Sequence, residues 1–187
     1  PASGFSKGGF ARLVDENGSQ VGRGTRLDSS EAGTTITFLT GTLADGTYTL
    51  NLQILDENGN ASTPEQANAK TITVDTVAPD GPVALEESGI PILDDGYWNA
   101  SENEVVLKES LSSTGELAAI GDAVEILLNG DSFSSRQIKT LTSTDIDQGY
   151  AEITVDKAEL GGDGENVLTA VVTDAGGNTS GASAGID

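Results

Sequence analysis

The side chains able to do chemistry in this chain are almost all carboxylates. Aspartate and glutamate number 30 against 9 lysines and arginines, and histidine, cysteine and methionine are absent. Without imidazole or thiol there is no Ser-His-Asp triad, no thiolate nucleophile, no disulfide framework and no zinc finger. A formal net charge of −21 repels phosphate backbones and anionic lipid, so neither nucleic acid nor a membrane surface is an expected partner. Carboxylate oxygen in excess suits a hard divalent cation, and Ca²⁺ takes about six to eight oxygens from converging loops. Calcium is therefore the first partner to consider.

Two groups of oxygen ligands stand out. Asp75 and Asp80 bracket the segment Thr76-Val77-Ala78-Pro79, and Pro82 follows; the prolines fix φ, remove donors and hold the chain extended, marking a boundary. If loops alternate between the two poles of a sandwich, the turns at Asp122 and Asp174 fall beside Asp75 and Asp80, with Asp45 as a further candidate. About one to three Ca²⁺ ions are expected there. The second group is Asp94, Asp95, Asn99 and Glu102, spaced 1, 4 and 3 residues apart, with Asp163 or Glu165 expected from a turn at the same pole. The EF-hand pattern is absent. A plainer reading stands beside each turn, because Asp and Asn before Gly tolerate left-handed backbone and bond their own main chain.

Other chemistry is poorly supplied. A pair of carboxyls in a cleft would suffice for glycoside hydrolysis, but the loops are short and the aromatics are 1 Trp, 3 Tyr and 4 Phe, so no enzyme is expected. Tyr97 and Trp98 offer a sugar-stacking platform, yet an aromatic beside a strand more commonly lids a core.

The elements that position these residues are strands. Tyr48, Leu50, Leu52 and Ile54 alternate with Thr49, Asn51 and Gln53, as a half-buried strand requires; Val105 and Leu107, then Val124, Ile126 and Leu128, behave likewise. The fold class read from this is all-β. A helix is allowed one short turn at most, within Thr114–Leu128, where Gly121 interrupts good helix formers.

An internal repeat organises the chain. Residues 47–75 read TYTLNLQILDENGNASTPEQANAKTITVD and residues 165–187 read ENVLTAVVTDAGGNTSGASAGID. Asp56, Gly59, Asn60 and Ser62 correspond to Asp174, Gly177, Asn178 and Ser180. Two domains of one type follow, at 1–77 and 83–187 with a linker at 78–82. From 81 onward about eight strands are expected, near 83–86, 90–93, 104–109, 123–128, 135–142, 151–155, 166–173 and 181–186. The first domain offers about five, near 8–14, 20–27, 34–40, 47–55 and 69–75. It looks short of its opening strands, which either precede this sequence or come from elsewhere, and cover for the exposed edge is expected from another chain or a crystal neighbour. No stretch approaches the ~20 apolar residues of a membrane span, and the start lacks a signal-peptide layout, so a soluble chain is expected.

The segment Asp56-Glu57-Asn58-Gly59-Asn60-Ala61-Ser62, followed by Ile72-Thr73-Val74-Asp75-Thr76-Val77-Ala78-Pro79, resembles the immunoglobulin-like repeats of giant bacterial surface adhesins. These are type I-secreted, RTX-type proteins of biofilm formation and surface attachment. Their repeats commonly end in D-x-x-G-N-x-S and a V-D-T-x-A-P junction. Asp94-Asp95-Gly96-Tyr97-Trp98-Asn99-Ala100-Ser101-Glu102 is similar to the D-D-x-x-x-N-x-x-E segment that opens such repeats. The resemblance covers nearly the whole chain, except that the first repeat lacks this opening segment. It implies tandem immunoglobulin-like β-sandwiches in an extracellular fibre, stiffened by Ca²⁺ near the joints, monomeric, with neighbouring domains of the same chain as partners. The alternative is a ligand-binding module for an extracellular peptide or glycan, or a support for an inserted binding domain.

Overall fold

The computed structural model describes residues 8–27, 36–88, 97–99, 101–160 and 164–186. It divides the chain into two compact units, Pro1–Asp75 and Thr76–Asp187.

Unit 1 carries β1 (Phe10–Val14), β2 (Gln20–Arg26), β3 (Gly46–Leu55) and β4 (Glu65–Val74) in one antiparallel sheet of order β2-β1-β3-β4. Alternation along β3 sorts its two faces. Leu13 stands opposite Leu52, Ala11 opposite Ile54 and Tyr48 opposite Ile72, so apolar side chains share one face. On the other face Arg12 stands opposite Gln53 and donates to its Oε1 from Nε at 2.8 Å and Nη2 at 2.6 Å, while Thr47 and Thr73 are in hydroxyl contact. The Arg12 face is covered too, since Val14, Asn51 and Gln53 on it are buried. The strand expected near 34–40 is not present as such: residues 36–40 contribute an isolated bridge from Leu39 to Arg23, and 28–35 lie outside the described residues. That bridge requires Gly22, which has φ +71° and where a Cβ would meet the Leu39 carbonyl oxygen at 2.3 Å.

Unit 2 carries β5 (Ala84–Glu87), β6 (Glu104–Ser110), β7 (Ala123–Leu128), β8 (Asp131–Thr140), α1 (Ser143–Gln148), β9 (Tyr150–Asp156), a 3₁₀ turn (Lys157–Leu160) and β10 (Leu168–Thr173). Two antiparallel sheets form, β5-β6-β9 and β10-β7-β8. Their inward residues, among them Leu107, Ile153, Val124, Ile126, Ala170 and Val172, make one core, so the unit is a β-sandwich and the chain is all-β. Each fully buried Val, Leu or Ile contributes about 1.5–3 kcal/mol. β7 and β8 are joined by the two-residue turn Asn129-Gly130, with φ +54° and +88°, the backbone that Asn-Gly favours in a tight hairpin.

Three expectations change in unit 2. The helix is not within Thr114–Leu128: Gly115 and Gly121 take φ +76° and +100° there, and β7 begins at Ala123. Helix α1 forms instead at Ser143–Gln148, where Thr142 and Asp145 make a reciprocal capping box and Gly149 closes the end at φ +77°; caps supply what the propensity of this segment does not. The strand expected at 181–186 is reduced to one bridge, Ile186 to Leu168. The segment still runs close to β10, since a Cβ on Gly185 would lie 2.6 Å from Val167 Cγ1 and Ser183 donates its amide to the Ala170 carbonyl at 2.8 Å. β8 starts at Asp131, earlier than expected, and the strand expected at 90–93 lies outside the described residues.

The two units share a pattern. In unit 1, β1 pairs with its hairpin partner β2 and with β3; in unit 2, β7 pairs with its hairpin partner β8 and with β10. β3 and β10 are the strands that lead into the repeated Asp turns.

Candidate functional site: the acidic turns

Three turns among the described residues are built alike. Asp56 Oδ1 accepts the amide N–H of Asn58 at 2.9 Å and of Asn60 at 2.8 Å, and its Oδ2 accepts from Asn60 Nδ2 at 2.8 Å. Asp174 Oδ1 accepts from the Asn178 amide and Oδ2 from Asn178 Nδ2, both at 2.9 Å. Asp15 Oδ1 accepts from the amides of Asn17 and Ser19 at 2.9 and 2.8 Å. In each, a glycine amide (Gly18, Gly59 or Gly177) donates to the Asp carbonyl at 3.1 Å. The Asn60 and Asn178 side-chain amides hold the Asp56 and Asp174 carboxyls below the usual aspartate range, because both stabilise the charged form.

The serine that ends the motif closes the turn onto its strand. Ser62 donates its amide to the Ile54 carbonyl at 2.7 Å and its Oγ accepts the Ile54 N–H at 3.1 Å. Ser180 does the same with Val172, at 2.9 Å in both directions. D-x-x-G-N-x-S is thus a complete hydrogen-bonding unit without any ion. The Asp15 turn has the same Asx geometry, a likeness signalled in the sequence by Asp-Glu-Asn-Gly at both 15–18 and 56–59.

The expected ligands take definite places. In unit 1, Asp45 and Asp75 follow immediately beyond the pair Gly46–Val74 of β3 and β4; both are exposed. In unit 2, Asp122 and Asp174 lie beyond the pair Ala123–Thr173 of β7 and β10. Asp122 is buried and its Oδ2 accepts the Ala119 N–H at 2.7 Å. Asp80 donates its amide to the Glu116 carbonyl at 2.8 Å and rests its carboxylate on Gly115, where a Cβ would fall 1.8 Å from Oδ2. Gly81 also packs closely, against the segment after the Asp174 turn, since a Cβ on it would meet the Gly181 carbonyl at 2.8 Å. Asp80, Asp122 and Asp174 therefore occupy one pole of unit 2. Among the described residues no three carboxylates converge as a metal site would need.

For the second group, Asn99 and Glu102 are joined: the Asn99 amide donates to Glu102 Oε2 at 2.7 Å, and the Glu102 amide to the Asn99 carbonyl at 3.1 Å. Asp94, Asp95 and Asp163 lie outside the described residues. Trp98 packs against the core and donates its indole N–H to the Glu102 carbonyl at 2.9 Å, as a lid does, while Tyr97 beside it is exposed. No helix among the described residues is long and apolar enough to cross a membrane.

Some charged residues were not singled out by pattern. Glu125 is buried and held by Arg136, whose Nε donates to Oε1 at 2.8 Å and whose Nη2 pairs with Oε2; the guanidinium draws the Glu125 carboxyl below its usual range. Burial works to raise Asp145, but Lys139 at 2.6 Å and the Thr142 hydroxyl and amide outweigh it, and its carboxyl lies below the ordinary value.

No protein-family profile matches the chain and no curated protein matches it. Among solved structures, it is similar to one from a study of host cell surface retention of a 1.5-MDa bacterial ice-binding adhesin, at 23% identity over 96% of this chain and 51% of that one, with a TM-score of 0.39. It is similar also to a tetra-tandem repeat from the extending region of a large adhesion protein, at 18% identity over 99% of this chain and 43% of that one, with a TM-score of 0.36. The chain spans about half, or less, of the length of both.

Proposed function

We propose that the chain is an extender segment of a bacterial cell-surface adhesin, made of tandem immunoglobulin-like β-sandwich domains and stiffened by Ca²⁺. Domain bounds of 1–77 and 83–187, with 78–82 as linker, go with this reading. The observation that carries it is the repetition of one closed turn, Asp56 to Ser62 and Asp174 to Ser180, at the end of the corresponding strand in each unit. Duplicated modules suit a structural strut outside the cell, engaged with neighbouring domains of the same chain.

The calcium part rests on charge. With −21 net, paired aspartates at strand ends repel one another, and a divalent ion relieves this. The ligands proposed are Asp75, Asp80, Asp122 and Asp174, with Asp45 as an auxiliary; Asp94, Asp95, Asn99, Glu102 and Asp163 are proposed for a second site. Small-angle scattering in millimolar Ca²⁺ and in EGTA tests the strut. A longer, narrower distance distribution in Ca²⁺ supports the reading, and superimposable curves refute it.

A further inference from the structure

Glu109 stands where β6 calls for an apolar residue. The inward row of β6 runs Val105, Leu107, Glu109, and Glu109 is 0% exposed. Leu85 of β5 faces it on one side and Ala151 of β9 on the other, and among the described residues neither of its carboxyl oxygens has a hydrogen-bond partner. An unpaired carboxylate in such surroundings is far costlier than the neutral acid, so the group keeps its proton. Desolvation alone pushes Glu109 up to about 8.

The charged groups around it are otherwise engaged. On β5, Glu87 shares the row but stands opposite Leu107; on β9 the row is Ala151, Ile153 and Val155. Across the sandwich, β7 and β10 present Val124, Ile126, Ala170 and Val172. Lys139 of β8 is bound to Asp145 of α1, and Asp122 before β7 takes the Ala119 N–H. Among the described residues β5, a strand of 4 residues, lies at the edge of its sheet and pairs with β6 alone. Its flanks are tied by Val83 N–H to the Ser110 carbonyl at 2.9 Å and Ser88 N–H to the Val106 carbonyl at 2.7 Å.

We propose that Glu109 is a proton-operated latch: as a neutral acid it lets β5 close over the core of unit 2, and loss of its proton lifts β5 from β6 to admit water. In the unfolded chain the proton leaves near 4.5, in the folded one near 8. Stability therefore falls as pH rises through that window, and the penalty is constant above it.

The test is thermal unfolding of the 187-residue chain and of Glu109→Gln between pH 5 and 9. The parent should lose more than about 5 °C relative to the variant between pH 5 and 8, with the gap levelling above 8; parallel profiles overturn the latch. If Glu109→Gln does not fold, a ¹³C titration of the Glu109 carboxyl in the parent decides. A midpoint above 7 supports the proposal and one at or below 7 defeats it. Amide exchange at Val83 and Ser88, corrected for intrinsic rates, should rise about tenfold relative to the β10 amides between pH 7 and 9; an unchanged ratio would also overturn it.

Discussion

Asp122 and Asp174 occupy the next register position beyond Ala123 and Thr173, the last residue pair of β7 and β10. Asp45 and Asp75 take the matching position beyond Gly46 and Val74 of β3 and β4. Like charges placed across from one another at a strand end destabilise it. Local hydrogen bonds offset part of this, from Ala119 to Asp122 and from Asn178 to Asp174. A carboxylate has room for about four hydrogen-bonding partners, so acceptor capacity remains after the turn is closed.

The closure of the repeated turn by serine predicts a matched pair of mutants. Ser62→Ala and Ser180→Ala each remove the acceptor of a strand amide, Ile54 and Val172 respectively. Each should cost about 1 kcal/mol. Urea unfolding reads the two effects, and a null result at both would contradict the turn's role in holding the strand end.

Gly115 should not tolerate a side chain. It combines φ +76° with the Asp80 carboxylate at 1.8 Å from a would-be Cβ. Gly115→Ala should destabilise unit 2 by about 1–3 kcal/mol through strain and displacement of Asp80, as measured by denaturant unfolding, whereas Ala at Gly130, where nothing lies within 4 Å, costs only its backbone strain.

Two ion pairs described in unit 2 each hold a buried carboxylate. Arg136 is 59% exposed and the Glu125 side chain 7%, so Arg136→Ala removes from a buried carboxylate a partner that water already screens on its outer side. Lys139→Met strips a partner from Asp145, whose side chain is 4% exposed, and should cost about 1–3 kcal/mol. The depressed Asp145 carboxyl contributes stability present above the ordinary aspartate range and lost as pH falls through its folded value. Lys139→Met should therefore flatten the acid limb of a melting-temperature profile; an unaltered limb would contradict the assignment.

Much of the fold was written in period-two alternation: Tyr48 to Ile54 gave β3, and Val105 with Leu107 gave β6. The same alternation carries Glu109 inward, two residues past Leu107, a signal overlooked because glutamate is expected on the wet face. The helix was misplaced because Leu117, Ala118 and Ala119 favour helix by propensity, while α1 depends on Thr142, Asp145 and Gly149 acting together as caps. The Asp turns were legible from the repeat. The serine closure was not, since it joins residues 8 apart through a side chain, a relation that spacing does not announce.

Calorimetric titration of Ca²⁺ into the demetallated chain decides whether calcium stiffens it. About one to three ions should bind, with a rise in melting temperature that follows the ligand excess at roughly 2.7 kcal/mol for a hundredfold excess over Kd and weakened binding in Asp75→Asn and Asp174→Asn. No heat of binding at millimolar Ca²⁺, with the same melting temperature in EGTA, would contradict it.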